Sequence, residues 1–430
     1  MMPNLSASVI TFLAMCLACV AQQSPTTQPA KPERGLFSLT RQAKRPSIRI
    51  GKQFRADFRL SFQTDWRGYE PENSSEEPLF DLHRSRVGVE GEFLKYFEYE
   101  FDYELGDTSF PWRDAYVNFR PAREFQIRGG KFKIPFSLNQ LQGPNSLDFV
   151  YRSRIGALLA PAREIGGEIH GRVLDRGMSY QAGVFRHDGE VPYINDDTEP
   201  GGGITYAARL TGTPLRLLTI PGRFKSMTLG AAATINNVDA GMKGLRGRTI
   251  GFETIYPQSG ARMFVNGERR RLGAELEWSP GPLSVEAEFA DVREERRGQS
   301  IRGEDLPALL ERGWYVSATY IVTGQAHADR REPKEYFPIR GIGAIELATR
   351  YEQIRFASRG GVGPPSRSTR ASNVLPQSDR VWTWGVNWYL NRWIKVQGNV
   401  IREKIEDVQR SPSPGRDRLW TGVVRVQYTL

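Results

Sequence analysis

Apolar and polar residues alternate along most of this chain, over runs of roughly ten residues or more. Between Ile48 and Gln63 every even position except Lys52 is apolar, while the odd positions are polar or glycine. Near the other end, Trp382 to Leu390 repeats the pattern, with Thr, Gly, Asn and Tyr between large apolar residues. Residues two apart lie on one face of a β-strand, so this period predicts strands with one apolar face and one polar face.

The length of these runs distinguishes two classes of β-protein. Strands of a soluble sandwich are usually about 5 to 6 residues long, and a second sheet covers their apolar face. A tilted strand that crosses a bilayer needs about 9 to 11 residues and presents its apolar face to lipid. After the N-terminal region no segment approaches the ~18 consecutive apolar residues of a membrane helix. The pattern therefore predicts an all-β, antiparallel transmembrane β-barrel.

About sixteen strands are predicted, an even number as in bacterial single-chain barrels. They span 47–63, 80–93, 95–106, 111–120, 124–134, 164–174, 177–187, 202–213, 225–237, 270–279, 282–293, 312–323, 340–355, 380–390, 393–405 and 417–430. The connections mostly alternate between short and long, and the short ones are at 93–95, 120–124, 174–177, 279–282 and 390–393. This sorting predicts short turns at the periplasmic end of the barrel and long loops at the external end.

The first 46 residues differ in composition from the rest. Residues 1–21 hold a short apolar core that ends in small residues, as in a secretory signal peptide, and they include both cysteines. A buried N-terminal helix is the alternative for this segment. Residues 22–46 are rich in Pro, Gln and Thr and then basic, which is typical of a disordered leader. We therefore expect export through a signal peptide and a barrel over 47–430 that has no disulfide.

The chain carries a formal net charge of +10, so the direction of its charged side chains matters for function. If the apolar faces contact lipid, the opposite positions face the lumen. On the first two strands these positions include the arginines Arg49, Arg55, Arg59, Arg84 and Arg86. On the third strand they are the carboxylates Glu98, Glu100, Asp102 and Glu104. Opposite charges on neighbouring strands would pair, so we expect a lumen wall that is not uniformly positive.

The strand over 124–134 breaks its own alternation, because the apolar residues before and after Gly129-Gly130 have opposite parity. Glycine inside a strand often marks a bulge. A bulge here would keep Phe132 outside and turn Lys131 and Lys133 into the lumen. Arg128 would face the lumen with them. The alternative is that both lysines are simply solvated at the end of a strand.

No strand is predicted between Pro135 and about Glu164. Structureless segments of this length inside a compact domain are usually functional. The segment is moderately apolar and carries Arg152, Arg154 and Arg163 against a single acid, Asp148. We expect it to fold against the inner wall of the barrel and to narrow the channel.

Two stretches carry a resemblance to a known family. RGGKFKIPFSLNQLQGPNSLDFVYRS at 128–153, followed by ALLAPAREIGGEIHG at 157–171, contains a G-x-x-K-x-P-F strand end and a P-x-R-x-x-G return strand. RRLGAELEWSPGPLSVEAEF at 270–289 is a hairpin around a Gly-Pro turn. Both are similar to the phosphate-selective porin O and P family. The resemblance implies a sixteen-stranded, usually trimeric outer-membrane barrel with an inward third external loop and an arginine and lysine constriction that binds anions.

The resemblance also implies which residues form the constriction. Lys131, Lys133, Arg152 and Arg163 lie within the matching motifs. Tyr151 stands where the family has an acidic residue, so the usual neighbour of the following arginine is missing.

The function expected is passive conduction of anions, phosphate, pyrophosphate or polyphosphate, across the outer membrane, with no cofactor and no nucleic-acid partner. The carboxylates on the third strand leave a non-selective porin as an alternative. A barrel-embedded enzyme is a weaker alternative, because the four histidines are scattered and no G-x-S-x-G motif is present. A soluble, secreted protein that binds carbohydrate or nucleic acid is a further alternative, although the tryptophans near the C-terminus fit a lipid-facing surface more simply.

Overall fold

Within the part of the chain that this computed structural model describes, sixteen strands form the wall of a closed barrel. The described residues are 45–430 without 52, 71–79, 108–110, 176, 190–201, 258–262, 331–332, 334, 339–340, 361–363, 365, 367 and 369. In chain order the strands are β1 (Ser47–Ile50), β2 (Phe54–Glu70), β3 (Phe80–Phe93), β4 (Phe97–Glu104), β5 (Trp112–Phe119), β6 (Gln126–Lys133), β7 (Arg163–Val173), β8 (Met178–Phe185), β9 (Thr205–Gly212), β10 (Thr228–Lys243), β11 (Gly247–Arg248), β12 (Thr254–Tyr256), β13 (Phe264–Trp278), β14 (Leu283–Arg296), β15 (Leu306–Ile321), β16 (Ala344–Ser358), β17 (Gln377–Tyr389), β18 (Ile394–Ile405) and β19 (Arg418–Thr429). The wall consists of β2–β10 and β13–β19.

Each wall strand pairs antiparallel with the next, and β19 pairs with β2 from Trp420↔Glu70 to Thr429↔Ser61. The sheet is therefore closed and leaves no edge, as a barrel in lipid requires. The turns at 94–96, 174–177, 279–282 and 390–393 lie at one end together with two longer connections, 213–227 and 322–343, and the remaining long connections lie at the other end. The predicted sixteen-stranded antiparallel barrel is confirmed.

Alternate residues face outward and inward, as the sequence pattern predicts. On β17, Trp382, Trp384 and Val386 are 41%, 42% and 47% exposed on the outer surface. Their neighbours Val381 and Thr383 are buried inside. The outer surface is therefore apolar because lipid covers it, while the inner surface holds polar and charged side chains.

The first predicted strand is wrong in its boundaries. The chain turns at Gly51, whose φ of 55° suits glycine, and β1 folds back on β2 with Ile50 opposite Phe54. The wall strand β2 begins at Phe54 and continues to Glu70, seven residues beyond the predicted end at Gln63. An apolar period that continues across a tight turn is indistinguishable by sequence from one long strand.

The predicted bulge at Gly129-Gly130 is also wrong. The register runs without a shift from Gln126 to Lys133 against β7, and from Ile127 to Lys131 against β5. Gly130 adopts a φ of 132° instead, a conformation open to glycine and strained for other residues. Phe132 therefore keeps the parity of Arg128 and is buried inside the barrel, 1% exposed.

Two long connections fold inside the barrel. The connection between β6 and β7 contains an α-helix (Leu138–Leu141), a 3₁₀ turn (Pro144–Ser146) and a π-helical turn (Ile155–Leu159). The connection between β10 and β13 contains the β11–β12 hairpin. Further 3₁₀ turns lie at Pro214–Leu217, Gly222–Phe224, His327–Asp329 and Val408–Arg410.

No helix among the described residues is long and apolar enough to cross a membrane. The predicted signal peptide at 1–21 lies outside the described residues, and so does all of the predicted leader at 22–46 except Arg45 and Pro46.

Candidate functional site

The connection between β6 and β7, residues 134–162, fills one side of the lumen, and we call it the inward loop. The amide of Asn139 donates to the carboxylate of Glu288 on β14 over 2.6 Å. The amide of Val150 donates to the side-chain oxygen of Asn399 on β18 over 2.8 Å. Phe136 and the apolar loop residues from Ile155 to Ala160 pack in one buried cluster with inward residues of β14–β16. The loop is therefore attached to the β13–β19 half of the wall.

The connection between β10 and β13 packs beside the inward loop. The amide of Leu245 donates to Glu294 over 2.9 Å, and the amide of Ile250 donates to Glu403 over 2.8 Å. Ile250 also lies in a buried cluster with Tyr151 of the inward loop. Because its amides are taken by inward carboxylates of the wall, this second loop adds to the plug on the same side.

The deepest part of the inward loop is held at the short-turn end of the barrel. Arg330 donates to the Asp148 carboxylate over 3.0 Å, and Asn387 donates to its carbonyl over 2.8 Å. His327 Nε2 lies 3.6 Å from Asp148 and 3.2 Å from Glu346. Burial alone would lower the pKa of His327, but its contacts with Asp148 and Glu346 raise that pKa to about 9. Burial would raise the pKa of Asp148, but Arg330 and His327 hold it below its usual range.

On the opposite side of the lumen lies a cavity of about 330 Å³ between the β2–β8 wall and the inward loop. Among the described residues, its lining includes seven cationic side chains, Arg45, Arg59, Arg84, Arg86, Arg128, Lys133 and Arg163. It includes three carboxylates, Glu100, Asp102 and Asp114. Its loop side is formed by Leu141, Gly143, Pro144, Asn145 and Ser146. The lining thus has a surplus of four positive charges.

The side chain of Arg59, on β2, extends along the inner surface of the wall past β3 and reaches acids on β4. On the ladder Arg59 is opposite Gly88, and Gly88 is opposite Asp102. A Cβ on Gly88 would lie 1.9 Å from the Asp102 carboxylate, so only glycine leaves room for the guanidinium to pass. Arg59 bonds to Glu100 and Asp102 over 2.5 Å each and to Glu90 over 2.7 Å. Its charge is therefore compensated by three carboxylates.

The other arginines of the wall are less fully compensated. Arg86 donates two N–H groups to Glu104, over 3.2 and 2.9 Å, and Arg84 donates to Gln63 over 3.0 Å. The guanidinium of Arg128 stacks over the ring of Tyr116, 4.7 Å from its centroid, and lies 3.4 Å from its nearest carboxylate. Stacking leaves the edge of a guanidinium available for hydrogen bonds to an anion.

Lys133 and Arg152 lie where the wall meets the inward loop. Lys133 Nζ donates to the carbonyls of Gln140, Leu141 and Gln142 over 2.7, 3.1 and 2.8 Å. Arg152 donates to the Gln142 carbonyl over 2.9 Å. These bonds satisfy carbonyls at the end of the short helix, which have no partner within it. The lysine and the arginine therefore position the loop as well as adding charge.

Arg163 begins β7 and pairs with an acid of β5. It donates two hydrogen bonds to Asp114, over 3.0 and 2.6 Å. Both residues line the cavity.

Comparison with known proteins identifies the family. The model of the family described as phosphate-selective porin O and P matches residues 50–430. The chain belongs to this family. It is therefore an outer-membrane porin and not an enzyme, as the sequence analysis predicts.

Individual relatives of the porin are distant. It is 25% identical to Porin O of Pseudomonas aeruginosa over 162 residues, which are 37% of this chain and 34% of that relative. The match thus spans only about a third of the relative's length. Among solved structures, OmpT of Vibrio cholerae in its trimer form has a TM-score of 0.53 at 12% identity, covering 88% of this chain and 100% of OmpT. The anion-selective porin of Comamonas acidovorans has a TM-score of 0.52 at 12% identity, with coverage of 88% and 100%. These two likenesses support the fold.

Not all residues predicted for the porin's site lie in the cavity. Lys131 is opposite Ile165 on the ladder, and Ile165 is 52% exposed on the outer surface. The continuous register thus turns Lys131 outward, contrary to the prediction. Arg49 and Arg55 lie opposite each other near the short-turn end, and neither contributes to the cavity lining.

Two of the four predicted carboxylates contribute to the lining, Glu100 and Asp102. Glu98 instead accepts a hydrogen bond from Asn118, and Glu104 accepts a hydrogen bond from Arg86. Arg152 does not line the cavity. It donates to the carbonyl of Gln142, which also accepts from Lys133, a residue of the lining.

The inward side chains of β5 were not predicted. Asp114, Tyr116 and Asn118 alternate with apolar residues in WRDAYVNF, the sequence of this strand. That alternation is the same signal that identifies the arginines of β2 and β3, and it would have placed Asp114 and Tyr116 in the lumen.

Proposed function

We propose that the porin conducts small anions passively across the outer membrane through the cavity beside the inward loop. The observation that carries the proposal is the charge of the lining, with seven cationic side chains and three carboxylates. A surplus of one sign in a narrow, poorly hydrated passage raises the local concentration of ions of the opposite sign. The direction of transport is set by the concentration gradient alone.

Phosphate, pyrophosphate and polyphosphate are the anions that the family description and the donor chemistry support. Arginine forks and lysine ammonium groups replace the water shell of a phosphate with charge-assisted hydrogen bonds. Arg84, Arg86 and Arg128 supply such donors along the wall. Lys133, Arg152 and Arg163 add positive charge at the constriction, where Lys133 and Arg152 bond to loop carbonyls and Arg163 bonds to Asp114. Several weak sites in series allow flux, whereas one tight site would block it.

The proposal is tested by reversal potentials in planar bilayers under a potassium chloride gradient, followed by titration with phosphate. We expect chloride to carry most of the current and phosphate to reduce it in the low millimolar range. The double variant Arg128→Gln with Lys133→Gln should shift the reversal potential toward that of a non-selective pore. Lys131→Gln is the matched control, because its register position faces outward. An unchanged reversal potential in the double variant would exclude this part of the lumen as the selective element.

A non-selective porin is the second candidate, and the pairing of Arg59 favours it. Three carboxylates, Glu90, Glu100 and Asp102, surround this guanidinium. Because these paired charges largely cancel, this part of the wall favours neither ion sign. A reversal potential near zero in the unmodified porin would support this candidate against the first.

A homotrimer in the membrane is the proposed assembly. The family resemblance supports it, and a neighbour of the same fold, OmpT, is described as a trimer. Light scattering of the detergent-solubilised porin, with the detergent contribution subtracted, measures the mass directly. A mass equal to one chain would overturn the assembly and leave the conduction proposal intact.

A further inference from the structure

Basic side chains form a row on the outer surface at the long-loop end of β15–β19. Arg380 of β17 is directly opposite Lys404 of β18, and Lys404 is directly opposite Arg418 of β19. On the neighbouring strands, Arg312 of β15 is opposite Arg355 of β16. All five side chains are exposed, and we call them the outer basic row.

An aromatic band fixes the depth of this row in the membrane. Trp314, Tyr351, Trp382 and Trp420 lie two or four residues closer to the short-turn end on the same outer face. The rings of Trp314 and Tyr351 are 5.4 Å apart, and those of Tyr351 and Trp382 are 4.6 Å apart. Such bands mark the boundary between hydrocarbon and headgroups. Two residues of strand span about 7 Å, so the outer basic row lies at the depth of the lipid headgroups.

The charges of the row are only partly compensated within the protein. Asp417 lies 4.0 Å from Lys404 and 3.9 Å from Arg418, and Asp291 pairs with Arg312. Neither Arg355 nor Arg380 has an ion pair with any residue that the structure describes. Like charges directly opposite on a ladder are destabilising, so a row of this kind requires anions from outside the chain.

We propose that the outer basic row binds the phosphate groups of the anionic glycolipid of the outer leaflet, lipopolysaccharide. The long-loop end of an outer-membrane barrel is its external end, so the row faces that leaflet. Guanidinium and ammonium groups bind phosphate through charge-assisted hydrogen bonds, and clusters of them at headgroup depth recognise anionic lipids. The sugar-bound phosphates supply the counter-charge that Arg355 and Arg380 lack. This inference concerns the outer surface and is independent of the ion that passes through the lumen.

The test uses the full chain in detergent micelles, titrated with bisphosphorylated lipid A and separately with the dephosphorylated lipid. We expect the unmodified chain to bind the phosphorylated form at least about tenfold more tightly, given several charge-assisted contacts. The triple variant Arg380→Glu, Lys404→Glu and Arg418→Glu should lose at least about tenfold in affinity for it.

The matched control reverses three exposed basic residues at the opposite end, Lys95, Arg223 and Arg392, which lie on connections at the short-turn end of the barrel. This control should bind as the unmodified chain does. Equal binding of both lipid forms, or an unchanged affinity in the triple variant, would overturn the proposal. The proposal would also be overturned if the triple variant lost its oligomeric state but still bound the phosphorylated lipid, because the outer basic row would then be a contact between copies of the chain.

A variant that fails to fold is recognised by the loss of its heat-dependent shift in gel mobility. In that case the proposal is tested on the unmodified chain, by the dependence of its lipid affinity on salt concentration. Affinity for phosphorylated lipid A should fall at least about tenfold between roughly 50 and roughly 500 mM salt, because partly exposed ion pairs are screened. No dependence on salt would overturn the proposal.

Discussion

Lys133 and Arg152 donate hydrogen bonds to the same oxygen, the carbonyl of Gln142, over 2.8 and 2.9 Å. One cation comes from the wall and the other from the far side of the inward loop. Lys133 also donates to the carbonyls of Gln140 and Leu141, and Arg152 also donates to that of Asn139, so neither side chain can move away without leaving a carbonyl of the loop unsatisfied. The geometry of the loop and the electrostatics of the site therefore depend on the same contacts.

Replacing Lys133 with Met should loosen the inward loop. The variant removes a charged donor from three carbonyls, and we expect the loop to lose about 2 kcal/mol of stabilisation against local opening. Trypsin cleavage after Arg152 or Arg154 in the folded porin should become measurably faster. Lys131→Met is the control, since its side chain faces outward. Equal cleavage rates in the two variants would contradict the anchoring role of Lys133.

Gly88→Ala should disconnect Arg59 from Asp102. The added Cβ would lie 1.9 Å from the carboxylate, so the acid and the guanidinium have to separate. We expect a loss of about 1 to 3 kcal/mol in the free energy of unfolding, measured in urea. Gly398→Ala is the matched control, because a Cβ there meets nothing within 4 Å. A midpoint for Gly88→Ala equal to that of the control would refute the close approach.

The strands were predictable because lipid on one side and water on the other impose a period of two on every wall segment. The same pattern places Arg59, Arg84 and Arg86 at the cavity, and their pairing with the acids of β4 follows from ladder register. The inward loop was predictable in outline, since its length and apolar content require a buried position.

The failures have specific physical causes. A change in the alternation of apolar and polar residues can come from a bulge, or from apolar residues that face the inside of the barrel. Phe132 is an example of the second, because it packs against Phe185. The loop between β10 and β13 carries no periodic signal, so its inward position depends on acceptors from distant strands, such as Glu294. The contacts of Asp148 with Arg330 and His327 join segments roughly 180 residues apart.

Asp114→Asn should increase the preference of the pore for anions. The substitution removes one of three carboxylates from the cavity and weakens the hold on Arg163, whose two donated bonds end at that acid. One unit charge at the distance across the cavity is worth roughly 1 kcal/mol, or about a fivefold change in relative permeability. The measurement is the reversal potential in a potassium chloride gradient. Glu304→Gln, on the exposed external loop after β14, is the control. A shift toward cations in Asp114→Asn would contradict the assignment of the cavity as the conducting path.

Raising the pH should release the deepest part of the inward loop. The pKa of His327 is raised to about 9, so protonated His327 favours the anchored state fully below its unfolded value of about 6.5. This contribution, up to about 3 kcal/mol, decreases as the pH rises and is lost above about 9. Arg330, which faces His327, has a pKa raised above its usual value, and Asp148 has one held below its usual range, so neither titrates in this window. We expect open-channel current noise to increase between pH 7 and 10.

His327→Gln is the control for this pH dependence, because the amide has the size to fill the site and no charge to lose. The variant should be as noisy at pH 7 as the unmodified porin is at pH 10, and its noise should not change between these values. If the variant keeps the pH dependence of the unmodified porin, another group controls the loop. Arg330→Gln distinguishes the contribution of Arg330 from that of His327, since both side chains contact Asp148. It should increase the noise at every pH, since the bond of 3.0 Å from Arg330 to Asp148 is lost whether or not His327 is protonated.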